Sequence, residues 1–121
     1  MPRSEEVRHS PRAISSRPAF TSGSPPAPVL DEFGNVQGGL RSPYLDVPTS
    51  TWFGSSTGPS FCCIAGHEVP FGDAQLAELY RNHGDYVSKV TRDTARLVAD
   101  RFLTVPDGLR LIQEAARADV P

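Results

Sequence analysis

Apolar residues recur at helical spacing only in the last third of the chain. Three stripes there predict helices over residues 74–83, 85–102 and 105–118. The longest stripe comprises Tyr86, Val87, Val90, Thr94, Leu97, Val98 and Phe102. Charged residues occupy the opposite side of that helix, so each predicted helix has one face to bury.

Local start and stop signals set the expected helix ends. Asp73 and Asp85 are predicted N-caps of the first two helices, and Gly84 is the predicted end of the first. Thr104 is followed three residues later by an aspartate, as in a capping box. His83 is expected near the C-terminus of the first helix, where the helix dipole favours positive charge.

The preceding segment has aromatic residues but no regular period. Residues 28–37 predict a small hairpin that turns near Gly34, and Thr49–Phe53 predicts a strand. The two prolines in and after Leu40–Val47 favour extended structure rather than helix. Phe61–Ala65 is short and apolar, and predicts either a buried strand or a buried connector.

The first 28 residues have a different composition from the rest. They contain six prolines, six serines and four arginines, with three sizeable apolar side chains. This composition predicts a disordered tail over residues 1–28, followed by one domain over residues 29–121. Eight basic and twelve acidic residues in the second part, and scattered arginines in the first, argue against a nucleic-acid partner.

The sequence also predicts several absences. It shows no signal peptide and no apolar run long enough for a membrane span, so a cytoplasmic location is the default expectation. Cys62 and Cys63 are adjacent and are interpreted as thiols in a reducing compartment. No metal ligands occur at recognisable spacing, and no metal, cofactor or partner is predicted.

One motif matches a nucleophile elbow by letters alone. Gly54–Gly58 reads G-x-S-x-G, with Ser56 at its centre, but the residues after Gly58 lack the helical pattern that such an elbow requires. His67, with Asp46 or Glu68 as the acid, would complete a triad. A surface loop and a turn histidine are the favoured interpretation, and no catalytic residue is predicted.

Arg41 and Asp46 lie on either side of a proline in the segment 38–48, GGLRSPYLDVP. An ion pair that fixes the loop between them is the expected role.

The segment 38–48 resembles a block near the C-terminus of a bacterial family of α/β-hydrolase-domain proteins. The resemblance continues through Phe61, Cys62, Gly66, Pro70, Phe71, Leu76, Leu79, Tyr80, His83, Tyr86, Val87, Phe102, Leu103 and the closing helix. It covers about residues 28–121. Residues 1–28 look unlike the segment that precedes this block in the family.

The resemblance implies a function for longer relatives rather than for this chain. Family members are implied to be serine-dependent hydrolases of esters or related acyl bonds, with the nucleophile and the sheet located upstream of this region. The chain is therefore expected to be an α+β fragment that would pack against the missing N-terminal part of its own fold. A small helical interaction module, and a minimal hydrolase that uses Ser56 and His67, are the alternatives.

The fragment interpretation makes a prediction about exposure. If these segments normally lie against a sheet, their large apolar residues should be unusually exposed in this chain. The residues concerned are Trp52, Phe53, Phe61, Ile64 and Phe71.

Overall fold

The computed structural model of the chain describes residues 17–121, which form four α-helices, one 3-10 helix and one two-stranded sheet. In chain order the elements are α1 (Pro43–Asp46), β1 (Ser50–Phe53), the 3-10 helix (Ser60–Ile64), β2 (His67–Pro70), α2 (Asp73–Leu79), α3 (His83–Ala99) and α4 (Val105–Arg117). No helix among these residues combines the length and the hydrophobicity that crossing a membrane would require.

The two long predicted helices are confirmed, but α3 begins two residues before the predicted start and ends at Ala99, three residues before the predicted end. Asn82 is its N-cap, and the Asn82 side-chain oxygen accepts a hydrogen bond from the backbone N–H of Asp85 at 2.9 Å. The predicted cap at Asp85 is therefore wrong, and Gly84 lies inside α3 rather than ending α2. His83 consequently belongs to the first turn of α3, and its predicted place at a helix C-terminus is wrong.

The start of α4 agrees closely with its local sequence. Thr104 is the N-cap, and its hydroxyl accepts a hydrogen bond from the backbone N–H of Asp107 at 3.2 Å. A proline in the first turn leaves no N–H unsatisfied there. The helix ends at Arg117, one residue before the predicted end.

Helix α2 is shorter than the predicted 74–83 and has no side-chain cap. It begins at Asp73 itself, after Gly72 as N-cap. It ends at Leu79 because Tyr80 adopts an extended backbone conformation. The buried Tyr80 ring donates a hydrogen bond from its hydroxyl to the Pro48 carbonyl at 2.7 Å, which holds the chain in this turn.

The extended structure predicted over Leu40–Val47 is wrong in its second half. Pro43–Asp46 forms α1, a single helical turn with the proline in its first turn. Proline is well tolerated at this position because its fixed φ suits the helix and its missing N–H would have no intrahelical partner.

Strands β1 and β2 form an antiparallel ladder in which Trp52 lies opposite Glu68 and Phe53 lies opposite His67. The predicted strand is confirmed, starting one residue later, whereas β2 was not predicted. Side chains alternate between the two faces of a strand. Trp52 and Glu68 therefore share one face of this sheet, and Phe53, His67 and Val69 share the other.

The predicted hairpin over residues 28–37 is confirmed by an antiparallel bridge between Leu30 and Val36. Gly34 has φ of +78°, which glycine adopts without strain. Asn35 fixes this hairpin to the sheet. Its side-chain amide donates to the Ser50 carbonyl at 3.1 Å, and its side-chain oxygen accepts from the Trp52 N–H at 2.7 Å.

The tail predicted to be disordered falls partly outside the described residues. Residues 1–16 are not described, and the boundary at residue 28 stays a prediction. Within residues 17–28, Ala19 and Thr21 take part in backbone hydrogen bonds of 2.8–3.2 Å with Ala27, Val29 and Gln37. A backbone ladder of this kind needs no apolar side chains, so composition did not reveal it.

The core is small and lies between α2, α3 and the C-terminal residues. Its buried apolar members are Val47, Leu76, Tyr80, Tyr86, Val90, Ala115 and Val120. At the crossing of α3 and α4, a Cβ on Gly108 would lie 3.1 Å from the Thr94 γ-methyl group, so glycine permits this close approach.

The expected burial of Phe61–Ala65 is wrong. This segment is the exposed 3-10 helix, in which 80% of Phe61 and 69% of Ile64 are accessible to solvent. Trp52 and Phe53 are also exposed, which agrees with the exposure prediction. Phe71 is half-buried instead, because it packs against Phe33 with ring centroids 5.8 Å apart.

Candidate functional site

The loop that joins β1 to β2 brings together Ser56 and His67. The Ser56 hydroxyl oxygen lies 2.9 Å from Nδ1 of His67. The imidazole ring also stacks on Phe53, with ring centroids 4.7 Å apart and an interplanar angle of 7°. The contact results from the ladder, since β2 begins at His67 and the loop folds back over its start.

The hydrogen bonds of this pair do not match those of a serine activated by a base. The Ser56 hydroxyl donates to the Ala65 carbonyl at 2.6 Å. A serine hydroxyl has one proton, so in this arrangement it accepts a hydrogen bond from His67 Nδ1–H. The imidazole then donates to the serine instead of removing its proton, and the pair acts as a clasp for the loop.

Neither acid considered from the sequence reaches His67. Glu68 comes directly after His67 in β2 and therefore points to the opposite face of the sheet. Asp46 is engaged elsewhere, in ion pairs with Arg41 and Arg96. The structure thus brings together the predicted serine and histidine and separates them from both acids.

The backbone around Ser56 differs from a nucleophile elbow. An elbow places its serine between a sheet strand and an α-helix, whose first N–H groups stabilise the oxyanion. Here Gly54–Gly58 leads into the 3-10 helix, and Gly58 has φ of +140°. A Cβ on Gly58 would lie 2.9 Å from Cβ of Cys62, so the tight packing of the loop depends on this glycine.

The predicted ion pair between Arg41 and Asp46 is present, with Arg41 Nε 3.1 Å from a carboxylate oxygen. Arg41 also pairs with Asp31 at 2.8 Å. Arg96 lies 3.0 Å from Asp46 and 2.6 Å from Asp93. These contacts join the 30–36 hairpin, α1 and α3 into one charged network.

The electrostatics of this network centre on Asp46. Burial, together with the neighbouring carboxylate of Asp93, raises the pKa of Asp46 from 3.8 to about 6, although Arg41 and Arg96 act in the opposite direction. Asp31 is different. Hydrogen bonds from Arg41 and from backbone N–H groups lower the pKa of its carboxyl group, although burial opposes them. The network therefore has a structural role with one pH-sensitive member.

The remaining histidine and the cysteines serve no evident ligand site within the described residues. His83 Nδ1 lies 3.0 Å from the Val120 carbonyl oxygen, and its Nε2 lies 3.1 Å from that of Ala116, so the ring is held by contacts with the C-terminal residues. Cys62 and Cys63 are free, exposed thiols. Within residues 17–121 no three histidine, cysteine or carboxylate side chains gather as a metal site would need.

Comparison with known protein families identifies the family of this chain. The sequence model of a family described as an alpha/beta hydrolase domain matches residues 5–113. The chain belongs to this family. No curated protein and no solved structure matches the chain. The resemblance of segment 38–48 to α/β-hydrolase-domain proteins is thereby confirmed, and the match also includes most of the tail that looked unlike the family.

Membership in the α/β-hydrolase-domain family allows the surroundings of Ser56 to be compared with those of a hydrolase nucleophile. In such a fold the nucleophile is held above a parallel sheet. The strands of residues 17–121 form an antiparallel pair instead, and Ser56 lies in the connecting loop. The contact could be found from the sequence only by predicting β2, whose composition gave no strand signal.

Proposed function

We propose that this chain is the part of an α/β-hydrolase domain that covers the sheet, and that it performs no chemical step of its own. Longer members of the family would hydrolyse ester or related acyl bonds with a serine outside this region. The supporting observation is the exposed apolar surface formed by Phe53, Phe61, Ile64 and Val69, whose exposed fractions run from 43 to 80%.

This surface belongs to β1, β2 and the loop between them, and we call it the hairpin apolar face. Its composition is that of a contact surface. Fully burying a side chain of this size contributes about 1.5–3 kcal/mol. Because these four are already partly buried, they forgo roughly 4–7 kcal/mol, which is comparable to the net stability of a marginally stable domain. Phe53 and Val69 share one face of the sheet, and Phe61 and Ile64 belong to the loop that joins its strands. Large exposed apolar surface usually marks an interaction site. The proposed occupant is the remainder of the hydrolase domain, because family membership implies a sheet that needs covering.

A binding experiment tests the assignment directly. The chain is mixed with the separately expressed upstream region of a longer family member, and complex formation is measured by analytical ultracentrifugation. We expect Phe61→Ser with Ile64→Ser to abolish the complex. The matched control is Leu109→Ser, which changes a 55% exposed apolar residue on α4. A complex insensitive to the double change, or no complex at all, would contradict the proposal.

The Ser56–His67 contact favours a second candidate, a minimal hydrolase. A free serine hydroxyl is a poor nucleophile near neutral pH unless a base activates it. We therefore expect hydrolysis of p-nitrophenyl acetate at the buffer rate, with the same rate for Ser56→Ala. Turnover above that rate that disappears in Ser56→Ala but persists in Ser55→Ala would establish the second candidate instead.

A third candidate is a helical interaction module that folds and binds on its own. It differs from the first candidate in the surface that would contact the partner. A partner bound through the helices would be released by Leu109→Ser and retained by the Phe61 and Ile64 changes, which is the reverse of the pattern expected for the first candidate.

A further inference from the structure

A second feature lies on the opposite face of the sheet from the hairpin apolar face. There a solvent-accessible cleft of about 200 Å³ opens between β1, β2, α1, α3 and α4. Its walls include the rings of Tyr44, Trp52 and Tyr86 and the carboxylates of Glu68 and Glu114. Trp52 and Glu68 point into it together because they are opposite each other in the ladder.

The described residues that line this cleft carry a net negative charge. Glu68 and Glu114 contribute two negative charges, and the part of the chain that the structure describes places no lysine, arginine or histidine in the lining. The Tyr44 hydroxyl donates to Glu114 at 2.6 Å. That hydrogen bond, followed by burial, raises the pKa of Tyr44 to about 12, so the phenol stays protonated near neutral pH and remains a donor to this carboxylate.

The aromatic walls of the cleft also favour a cation. Tyr44 and Trp52 meet edge to face, with centroids 5.6 Å apart, and form one corner of the cleft. Aromatic faces attract cations through the ring quadrupole, most strongly for tryptophan. The volume of about 200 Å³ is below that of most drug-sized ligand pockets, which favours a compact occupant.

We propose that this cleft binds an alkylguanidinium or alkylammonium cation. The charged head would lie between Glu68 and Glu114, and the apolar stem would lie against Trp52. This binding site does not depend on the proposed covering role, because it uses the other face of the sheet.

Trp52 gives a direct measurement, since it is the chain's one tryptophan and lines the cleft. The full chain is titrated with n-butylguanidinium and n-butylammonium chloride at low ionic strength, and Trp52 fluorescence is recorded. We expect saturable changes with both cations and none with n-butylurea, which has a similar shape without charge. Added sodium chloride should weaken binding because it screens exposed charges.

Charge-removing variants identify the residues responsible. Glu114→Gln and Glu68→Gln should each weaken binding about two- to fivefold, as expected for single exposed charges. Glu78→Gln removes an exposed carboxylate of α2 outside the cleft and should leave affinity unchanged. Far-UV circular dichroism confirms that each variant is folded, and Glu68→Gln decides the result if Glu114→Gln loses helix.

The same assay separates two sources of the cation. Tighter binding of a blocked peptide with a central arginine than of butylguanidinium would identify a polypeptide side chain as the ligand. Equal or weaker binding of the peptide would identify a free small cation. The proposal is overturned if neither cation saturates the fluorescence change, if butylurea binds as well, or if Glu78→Gln weakens binding as much as the cleft variants.

Discussion

Replacing Asn35 by alanine would separate the 30–36 hairpin from the sheet. Asn35 is fully buried, and its amide joins two backbone groups of β1, the Ser50 carbonyl and the Trp52 N–H. Alanine would leave one buried acceptor and one partly buried donor without a partner.

The structure gives the expected magnitude. Each buried polar group left unsatisfied costs about 1–3 kcal/mol. Because the Trp52 N–H is only partly buried, we take the lower half of that range, about 1–2 kcal/mol, for each group. The free energy of unfolding should then fall by about 2–4 kcal/mol, a large part of the net stability of a small domain.

Urea unfolding monitored by Trp52 fluorescence provides the assay, since this tryptophan is itself bonded to Asn35. With a slope of about 2 kcal/mol per molar urea, the midpoint should fall by about 1–2 M. The control is Gln37→Ala in the same hairpin. Its amide makes one long, exposed hydrogen bond to Leu30, at 3.3 Å, and the change should alter stability by less than about 0.5 kcal/mol.

Two results would refute this reasoning. If Asn35→Ala unfolded within about 0.5 kcal/mol of the parent, the buried bonds would contribute nothing net. If Gln37→Ala lost as much stability as Asn35→Ala, the effect would belong to the hairpin generally and not to the amide.

Two further predictions concern α3 and its contacts. The raised pKa of Asp46 means that the folded state binds this proton more tightly than the unfolded state, so the associated stability is present below about pH 4 and is lost as pH rises through about 6. After allowance for solvent screening, the free energy of unfolding should fall by about 1–2 kcal/mol over this pH range. In Asp46→Asn, the free energy of unfolding measured with urea should change less between pH 4 and 7 than it does in the parent. Thr94 is 1% exposed, and its hydroxyl has no hydrogen-bond partner among residues 17–121. Thr94→Val should therefore raise stability by about 0.5–1.5 kcal/mol, and a lower thermal midpoint than the parent would contradict this.

Features encoded by neighbouring residues could be predicted from the sequence. The cap at Thr104, the turn at Gly34 and the pair of Arg41 with Asp46 all depend on partners within a few residues. The prediction of where α3 starts was wrong for a related reason. Asn82 and Asp85 are both good capping residues three positions apart, and the choice between them depends on where the chain enters from Tyr80.

Features that depend on distant partners were missed. β2 contains histidine, glutamate and proline, and it is a strand because β1 pairs with it, not because of its own composition. The hydrogen bond of Tyr44 with Glu114 spans 70 residues of sequence. Such contacts depend on how the helices pack against the sheet, which hydrophobic spacing does not specify. The family resemblance used blocks spread along the region, and it identified the family but neither of these contacts.

The antiparallel ladder explains how one short hairpin can carry two different surfaces. Alternation sends Phe53 and Val69 to the hairpin apolar face, and it sends Trp52 and Glu68 into the acidic cleft. A partner that covered the apolar face would leave the cleft open, because the helices already occupy the other side of the sheet. A one-residue change of register in β2 would turn Glu68 to the apolar face and Val69 into the cleft, whereas Phe53 and Trp52 on β1 would keep their places. The Ser56–His67 contact lies at the start of β2, where it favours the register that directs Val69 to the proposed domain contact and Glu68 to the proposed cation.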